Sequence, residues 1–234
     1  MSFLQRFGPI NVQQLRNFLG AMRAVPQAEH RRKLAALVKP ELLRLIPIVN
    51  LTDAVNCLFY LRLTVPRSAE YVPADDEQLA TAQWLLQPVL ERLSNEPGRN
   101  FKPEHVAKLY YALGQLSPNV DGMLQALDAV NAVVKQMDQP FNIAEMALWL
   151  SAFRTMPLDV PAAQTSLKLL VATLQRSMDK WTNVRPQDLT SMFNSMQSIG
   201  VETQECVEMA SLLTEALERC KAVNCVPLVC AVLR

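Results

Sequence analysis

The sequence predicts an all-α protein, an α-solenoid of about five and a half helix-turn-helix repeats, each of ~40 residues. Three observations predict this fold. Glycine supplies only 6 of the 234 residues, about 2.6% against a usual ~7%, so tight hairpins have little to be built from. Apolar residues recur at i, i+3, i+4 and i+7, which is the spacing of one helical face. This pattern also returns about every 40 residues, as expected when helix pairs stack on their neighbours.

Five segments of the chain can be laid over one another, and a sixth begins near the C-terminus. Each has a polar start, an apolar anchor residue, and a run of core residues three to seven positions further on. The longest gap between anchors contains RSAEYVPADDEQ, a polar insertion that predicts a loop over residues 67–78. The repeats start near residues 10, 49, 101, 141, 183 and 224, and their anchors are Leu15, Ala54, Val106, Met146, Leu189 and Cys230.

Each repeat is predicted to contain two helices, of which the first carries the anchor. Small residues near the end of the first helix are expected to let neighbouring helices approach closely. They occur in four of the five units, at Ala21, Ala112, Ala152 and Ser195, with Tyr60 as the exception. Pro40 and Pro88 fall inside two of the second helices and predict kinks or splits there. The second helices are predicted over residues 27–46, 75–93, 120–137, 161–178 and 203–220.

All the repeats are expected to form a single helical-repeat domain over residues 1–234. The sixth repeat stops at Arg234 after one apolar run, with no second helix and no polar cap. Because terminal repeats need a polar outer face, we expect the chain to be part of a longer array. An irregular helical bundle with accidental internal similarity is the alternative.

The composition argues against several classes of protein. No stretch reaches ~18 apolar residues, so we expect no membrane-spanning helix and no membrane partner. The sequence has no Gly-rich phosphate loop, GxSxG, HExxH or CxxC motif, so we expect no enzyme, metal, cofactor or small-molecule substrate. The five cysteines are expected to be small buried thiols in a reducing compartment. His105 is expected at the surface, at the start of a helix.

Positive charge is concentrated at the N-terminus. Residues 1–50 hold eight basic and two acidic side chains, a net charge of +6, whereas the remainder of the chain carries −5. Such asymmetry is typical of a polyanion-binding end, although a solvated basic face is an equally ordinary explanation. The first 28 residues contain three arginines and no acid, as mitochondrial presequences do, but the same segment also fits the first repeat.

Two sets of basic residues are candidates for RNA contact. One is the position directly after the last core residue of each first helix, where stacking would place Arg23, Arg62 and Arg154 along one ridge together with Gly114 and Gln197. The other is the run His30, Arg31, Arg32 and Lys33. Both have a simpler explanation, since arginine is favoured in the last turn of a helix and a charge run is often just solvated.

Aromatic side chains are a third possibility for RNA, because bases stack on them. Most of these residues occupy core positions of the repeat, so packing is the favoured interpretation and Tyr111 is expected to be the most exposed. The set comprises Tyr60, Tyr110, Tyr111, Trp149 and Phe193.

The segments AEMALWLSAFRTM, PEHVAKLYYALGQL and PQDLTSMFNSMQSIG resemble the helical repeats of octotricopeptide and heptatricopeptide proteins. Such repeats occur in organellar RNA-processing proteins of the FAST-kinase-like and RAP-domain types and in helical-repeat subunits of the kinetoplastid RNA-editing substrate-binding complex. The resemblance covers residues 10–234, without a RAP domain or kinase-like tail. It implies a mitochondrial or plastid protein that binds single-stranded RNA or scaffolds the other subunits of an RNA-processing or RNA-editing complex.

A protein–protein scaffold of the HEAT or armadillo type, with no nucleic-acid contact, is the alternative function. Those repeats share the same apolar spacing, and the net charge of only +1 favours this alternative. Such a scaffold would not require an organelle and could be cytoplasmic.

Overall fold

A computed structural model describes residues 9–22, 25, 27–61, 76–95, 101–116, 120–181, 184–199 and 203–219. The regular secondary structure of these residues consists of helices without any strand, which confirms the predicted all-α class. Two short 3₁₀ helices cover Ile46–Ile48 and Met178–Lys180. The α-helices are α1 (Val12–Met22), α2 (Ala28–Leu45), α3 (Leu51–Leu61), α4 (Asp76–Asn95), α5 (Pro103–Gly114), α6 (Met123–Lys135), α7 (Ile143–Ala152), α8 (Pro161–Ser177), α9 (Pro186–Ile199) and α10 (Gln204–Arg219).

The five predicted second helices correspond to α2, α4, α6, α8 and α10, with ends within three residues of the predicted ones. The predicted splits at Pro40 and Pro88 are wrong, because α2 and α4 each continue through their proline. Buried residues on both sides of each proline hold the helix against its neighbours and outweigh the lost backbone hydrogen bond; they are Val38 and Leu42 around Pro40, and Leu86 and Val89 around Pro88. The predicted loop at 67–78 lies outside the described residues up to residue 75, and α4 begins at Asp76.

The five predicted first helices, α1, α3, α5, α7 and α9, start in the same register relative to their anchors. The N-cap residue lies four positions before the anchor and is hydrogen-bonded to the residue directly before the anchor. At α7 this is a reciprocal capping box between Asn142 and Glu145, with N···O distances of 2.8 and 2.9 Å. The five pairs are Asn11 with Gln14, Asn50 with Asp53, Lys102 with His105, Asn142 with Glu145, and Arg185 with Asp188.

The predicted anchors form the core. Each of the five described anchors is at most 1% exposed, so all of them are removed from water. Burial of such side chains is the main driving force for packing the helices. These residues are Leu15, Ala54, Val106, Met146 and Leu189; the sixth anchor, Cys230, lies outside the described residues.

The helices group into two compact units, Met1–Phe101 with Gln115–Ala129, and Lys102–Gly114 with Val130–Arg234. In the first unit, α1 packs on α2 and α3, and α3 packs on α4. In the second unit, first helices pack on first helices, α5 on α7 and α7 on α9, while the second helices α8 and α10 pack on each other. Whether residues 1–234 form one domain stays a prediction. No described helix is both long and apolar enough to cross a membrane.

Candidate functional site

Of the three arginines in the predicted column, Arg154 is the one that the structure describes. It lies in the turn directly after α7, where its side chain is exposed and forms no ion pair with a described residue. Gln197, the equivalent residue on α9, is also exposed. Arg23 and Arg62 lie outside the described residues, so the predicted ridge is represented by Arg154 alone.

The column does not remain on the surface at Gly114, the last residue of α5. Gly114 is buried, and a Cβ atom there would lie 2.8 Å from the Cα and 2.9 Å from the carbonyl carbon of Ala152 on α7. The Thr155 hydroxyl also donates a hydrogen bond to the Gly114 carbonyl oxygen. The predicted close approach at Ala152 is therefore present, and glycine is required opposite it because any side chain would collide with backbone atoms.

The basic run at residues 30–33 lies on α2 in the first unit. The exposed His30 ring has its Nδ1 3.3 Å from Gln27 Oε1, and Lys33 Nζ lies 2.8 Å from Glu29 Oε1. Arg31 and Arg32 are helical, but their side chains are outside the description. Glu29, on the same helix, thus provides part of the negative charge that we expected an acidic partner to bring to this basic run.

Other cations of the N-terminal region are also paired with carboxylates. Arg44 binds Glu41 at 2.7 Å and the Ile10 carbonyl oxygen, and the Ile10 N–H donates to Glu41 at 3.1 Å. The hydrogen bonds from Arg44, reinforced by that backbone N–H, lower the pKa of Glu41 below its ordinary value although partial burial opposes the shift. Arg16 lies 3.6 Å from Asp53. Three of the eight basic residues in positions 1–50 are therefore paired with carboxylates, although two of these carboxylates, Glu29 and Glu41, are already counted in the net charge of +6.

The aromatic residues of the second unit form packing contacts, as predicted. Tyr110 and Trp149 are fully buried and stacked, with ring centroids 4.4 Å apart and planes inclined by 7°. Phe141 packs on Trp149 at 5.5 Å. Phe193 is also buried and Tyr111 is half-buried, while the Tyr60 side chain is outside the description. The buried rings have no open face for a base.

A buried polar cluster, which the apolar repeat pattern does not predict, lies beside these rings. The Tyr110 hydroxyl donates to Asn131 Oδ1 at 2.6 Å, and the Ser166 hydroxyl lies 2.7 Å from the same oxygen. Asn131 Nδ2 donates to the Ala162 carbonyl oxygen at 3.0 Å. Burial raises the pKa of Tyr110 well above its ordinary value, so this hydroxyl remains protonated as a donor. A polar network that is fully hydrogen-bonded fixes the packing of α5, α6 and α8 at this point.

The prediction that His105 is a surface residue is wrong. His105 is only 8% exposed, and its Nδ1 accepts a hydrogen bond of 3.2 Å from the Lys102 N–H. It occupies the position taken by Gln14 at α1 and Glu145 at α7, so its role is to satisfy a backbone donor at the helix start. The recurring pattern of Asn followed three residues later by Gln, Asp or Glu, as in NVQQ, NLTD and NIAE, was the available sequence signal.

The two described cysteines are buried thiols, as predicted. Cys57 and Cys206 are reduced, and burial raises the pKa of Cys57 to about 12, which suppresses the reactive thiolate. The other three cysteines lie outside the described residues. Within the described part of the chain, no group of three or more His, Cys, Asp or Glu side chains is placed to hold a metal ion.

No protein-family model matches the chain, and no curated protein or solved structure shows significant similarity to it.

Proposed function

We propose that this chain is a non-catalytic helical-repeat protein of mitochondrial RNA metabolism, which holds single-stranded RNA or the other subunits of an RNA-processing complex. The observation that carries the proposal is the repeated start of the first helices. In five helices the residue four positions before a buried anchor is hydrogen-bonded to the residue directly before that anchor; at three of them the first residue is an asparagine whose side chain caps the helix. Such repetition of one local unit is typical of proteins that present an extended binding surface rather than a catalytic pocket.

An α-solenoid of five and a half repeats is the architecture that we propose for this surface. The packing of first helices on first helices and of α8 on α10 supports it, because solenoid repeats contact their neighbours through like helices. The close approach of Gly114 and Ala152 supports it as well, since small residues at one repeat position serve to bring neighbouring first helices together.

RNA would be held through exposed basic side chains. Arg154 has an exposed guanidinium at the end of a first helix, where it can bind phosphate in a bidentate manner and stack on a base. The proposed contact residues are Arg23, Arg62, Arg154, His30, Arg31, Arg32 and Lys33.

A protein–protein scaffold without RNA contact is the second candidate. Two observations favour it. Carboxylates engage Arg16, Lys33 and Arg44, which lowers the positive charge left for phosphate. Large apolar side chains are exposed at Leu37, Ile48 and Val207, as expected at protein interfaces.

Binding of single-stranded RNA across a salt series separates the two candidates. The wild-type chain is compared with Arg23→Ala/Arg62→Ala/Arg154→Ala and with a control, Lys135→Ala/Lys168→Ala/Arg176→Ala, which removes three exposed charges outside the column. If the column follows the phosphates, the first variant binds more weakly than the control. Its plot of log affinity against log salt also flattens by about 2, since each phosphate contact contributes ~0.7 to the slope for single strands.

The outcomes have distinct meanings. Equal binding by the variant and the control would reject the arginine column while leaving RNA binding in place. Absence of binding by the wild type at the lowest salt concentration would reject direct RNA contact and favour the scaffold. In that case, isolation of the tagged chain from mitochondria should recover protein subunits whose association survives ribonuclease treatment.

A further inference from the structure

The first helices of the second unit present a layer of side chains that faces away from the core. At 3.6 residues per turn, the positions two and five residues after each anchor lie about 200° and 140° around the helix from it. Because α5 packs on α7 and α7 packs on α9, equivalent positions form rows across the three helices. The rows at two, five and eight residues after the anchor are Lys108, Leu148 and Ser191; Tyr111, Ser151 and Asn194; and Gly114, Arg154 and Gln197.

Most of the charge on this layer is neutralised within single helices. Lys108 forms an ion pair with Glu104, one turn earlier on α5. At the start of α9, Arg185 Nε lies 2.7 Å from Asp188 Oδ2. Arg154 is exposed and has no ion-pair partner among the described residues. The layer therefore offers one available cation among side chains that are otherwise paired or uncharged.

Uncharged side chains with hydrogen-bonding groups dominate the solvent side of α9. Ser191, Asn194 and Gln197 are all exposed there, whereas α10 exposes carboxylates such as Glu208 and Glu218. Serine and asparagine are poor helix formers, so helix formation does not account for them in the middle of α9. We call the group that they form with the half-buried side chains of α5 and α7 the neutral face; it consists of Tyr111, Ser151, Ser191, Asn194 and Gln197.

We propose that the neutral face reads the bases of single-stranded RNA and prefers adenine, an inference that rests on the proposed RNA-binding function. Asn194 and Gln197 each carry a donor and an acceptor side by side, which match the N6 donor and N7 acceptor of adenine. Tyr111 offers an aromatic ring on which a base can stack. Arg154, in the adjacent row, binds the phosphate.

The chemistry of the neutral face favours bases over phosphate as the groups that it recognises. Phosphate contacts position a nucleic acid without reading its sequence, and they depend on positive charge, which the neutral face lacks. Unstacked bases are instead recognised by stacking and by hydrogen bonds to their edges. Neighbouring helices lie ~8–10 Å apart, so successive helices can each receive a base from a strand that crosses them.

The test measures the affinity of the wild-type chain for oligo(U) RNA of fixed length at fixed salt, with uridine, adenosine or abasic ribose at the central positions. We expect central adenosine to bind about fivefold or more tightly than central uridine, and the abasic strand to bind most weakly. Asn194→Ala/Gln197→Ala should lose the adenosine preference and keep the salt slope, since no charge is removed. The matched control, Gln136→Ala/Gln175→Ala, removes two exposed amides outside the first helices and should keep the preference.

Two further variants separate base contacts from phosphate contacts. Arg154→Ala should lower the salt slope by ~0.7 and leave the ratio of the affinities for adenosine and uridine unchanged. Tyr111→Leu keeps an apolar side chain but removes the ring. It should weaken binding of the uridine and adenosine strands about fivefold each, because stacking is tolerant of sequence, and leave the abasic strand unaffected.

The outcomes distinguish this inference from the proposed function. Salt-dependent binding with equal affinity for all three strands, or with a preference for uridine, would overturn the inference and leave RNA binding in place. An adenosine preference that survives in Asn194→Ala/Gln197→Ala would overturn it as well. Absence of binding to every strand at the lowest salt would reject both. If the double variant loses its helical circular dichroism, the single changes replace it, and each should reduce the preference.

Discussion

The α1–α2 region of the first unit and the α5–α8 region of the second unit share one apolar pattern but are held together differently. In the former, Arg44, Glu41 and the backbone of Ile10 form a clamp that solvent can partly reach. In the latter, the backbone of Gly114 lies against the backbone of Ala152, and Asn131 joins Tyr110 and Ser166 in a buried hydrogen-bond network. Apolar spacing therefore specifies which helices form, whereas a few special contacts decide how firmly each pair is fixed. We expect substitutions in the two regions to differ accordingly.

Gly114→Ala should have the largest effect. The new Cβ would collide with the backbone of Ala152, which no side-chain rotation can relieve, so α5 and α7 must separate. We expect a loss of about 3 kcal/mol in the free energy of unfolding, at the upper end of overpacking costs. Urea denaturation followed by circular dichroism measures it.

Gly20→Ala is the matched control for that substitution. Gly20 lies in α1 with nothing within 4 Å of its Cβ position, so alanine should stabilise the helix by roughly 0.5–1 kcal/mol. Equal effects of the two substitutions would contradict the close approach in the second unit.

Asn131→Leu should have the second largest effect. It leaves the buried Tyr110 hydroxyl without its acceptor, and such an unsatisfied group costs about 2 kcal/mol. Adding Tyr110→Phe removes that hydroxyl as well, so the double variant should be less destabilised than the sum of the two single ones. Additive losses in a double-mutant cycle would show that the two side chains are not coupled.

Glu41→Gln should cost less than about 1 kcal/mol, because the clamp is partly exposed to solvent. Its pH dependence is the sharper test. The pKa of Glu41 is lower in the folded chain than in the unfolded chain, where it is ~4.3. The ionised carboxylate therefore stabilises the fold at pH values above the unfolded pKa, and this contribution is lost as pH falls through the folded pKa. The stability difference between wild type and Glu41→Gln should therefore shrink in acid.

Glu145→Gln provides the opposite sign for comparison. Burial raises the pKa of Glu145. At pH values above the unfolded pKa, the ionised carboxylate is therefore disfavoured in the folded chain. Protonation relieves this cost as pH falls through the folded pKa. Glutamine keeps the capping hydrogen bond. Wild type should thus gain stability relative to Glu145→Gln in acid; parallel pH profiles for the two variants would refute the assigned environments.

Arg154→Ala should have the smallest effect on stability, within about 0.5 kcal/mol, because the side chain is exposed and outside the core. It should nevertheless reduce the salt slope of RNA binding by ~0.7. A large loss of stability in thermal denaturation would show that this arginine has a structural role instead.

The helices could be predicted from the sequence because their apolar residues recur with the period of a buried face. The anchors Val106 and Met146 illustrate this, since both are fully buried. The splits expected at the prolines are absent, because packing that local rules do not include holds Pro88 inside α4. The start of α7 carries a sequence signal of its own, Asn-x-x-Glu in NIAE, which predicts a capping box.

The candidate site was less predictable. When the repeats are laid over one another, Gly114 falls at the same position as Arg154. The packing of α5 against α7 shows that Gly114 is nevertheless buried. The residue type of His105 likewise predicts a surface position. It does not reveal the buried hydrogen bond that joins His105 to the backbone of Lys102. The partners of Lys33 and Arg44 follow helical spacing of three or four residues and could have been read directly.

The central claim, that this repeat protein holds RNA, is tested most directly by the affinity of the wild-type chain for single-stranded RNA as salt is raised. We expect log affinity to fall linearly with log salt, with a slope of about −2 or steeper, because at least three phosphates would be neutralised at ~0.7 each. An affinity that does not change with salt, or no binding at the lowest salt concentration, would contradict it.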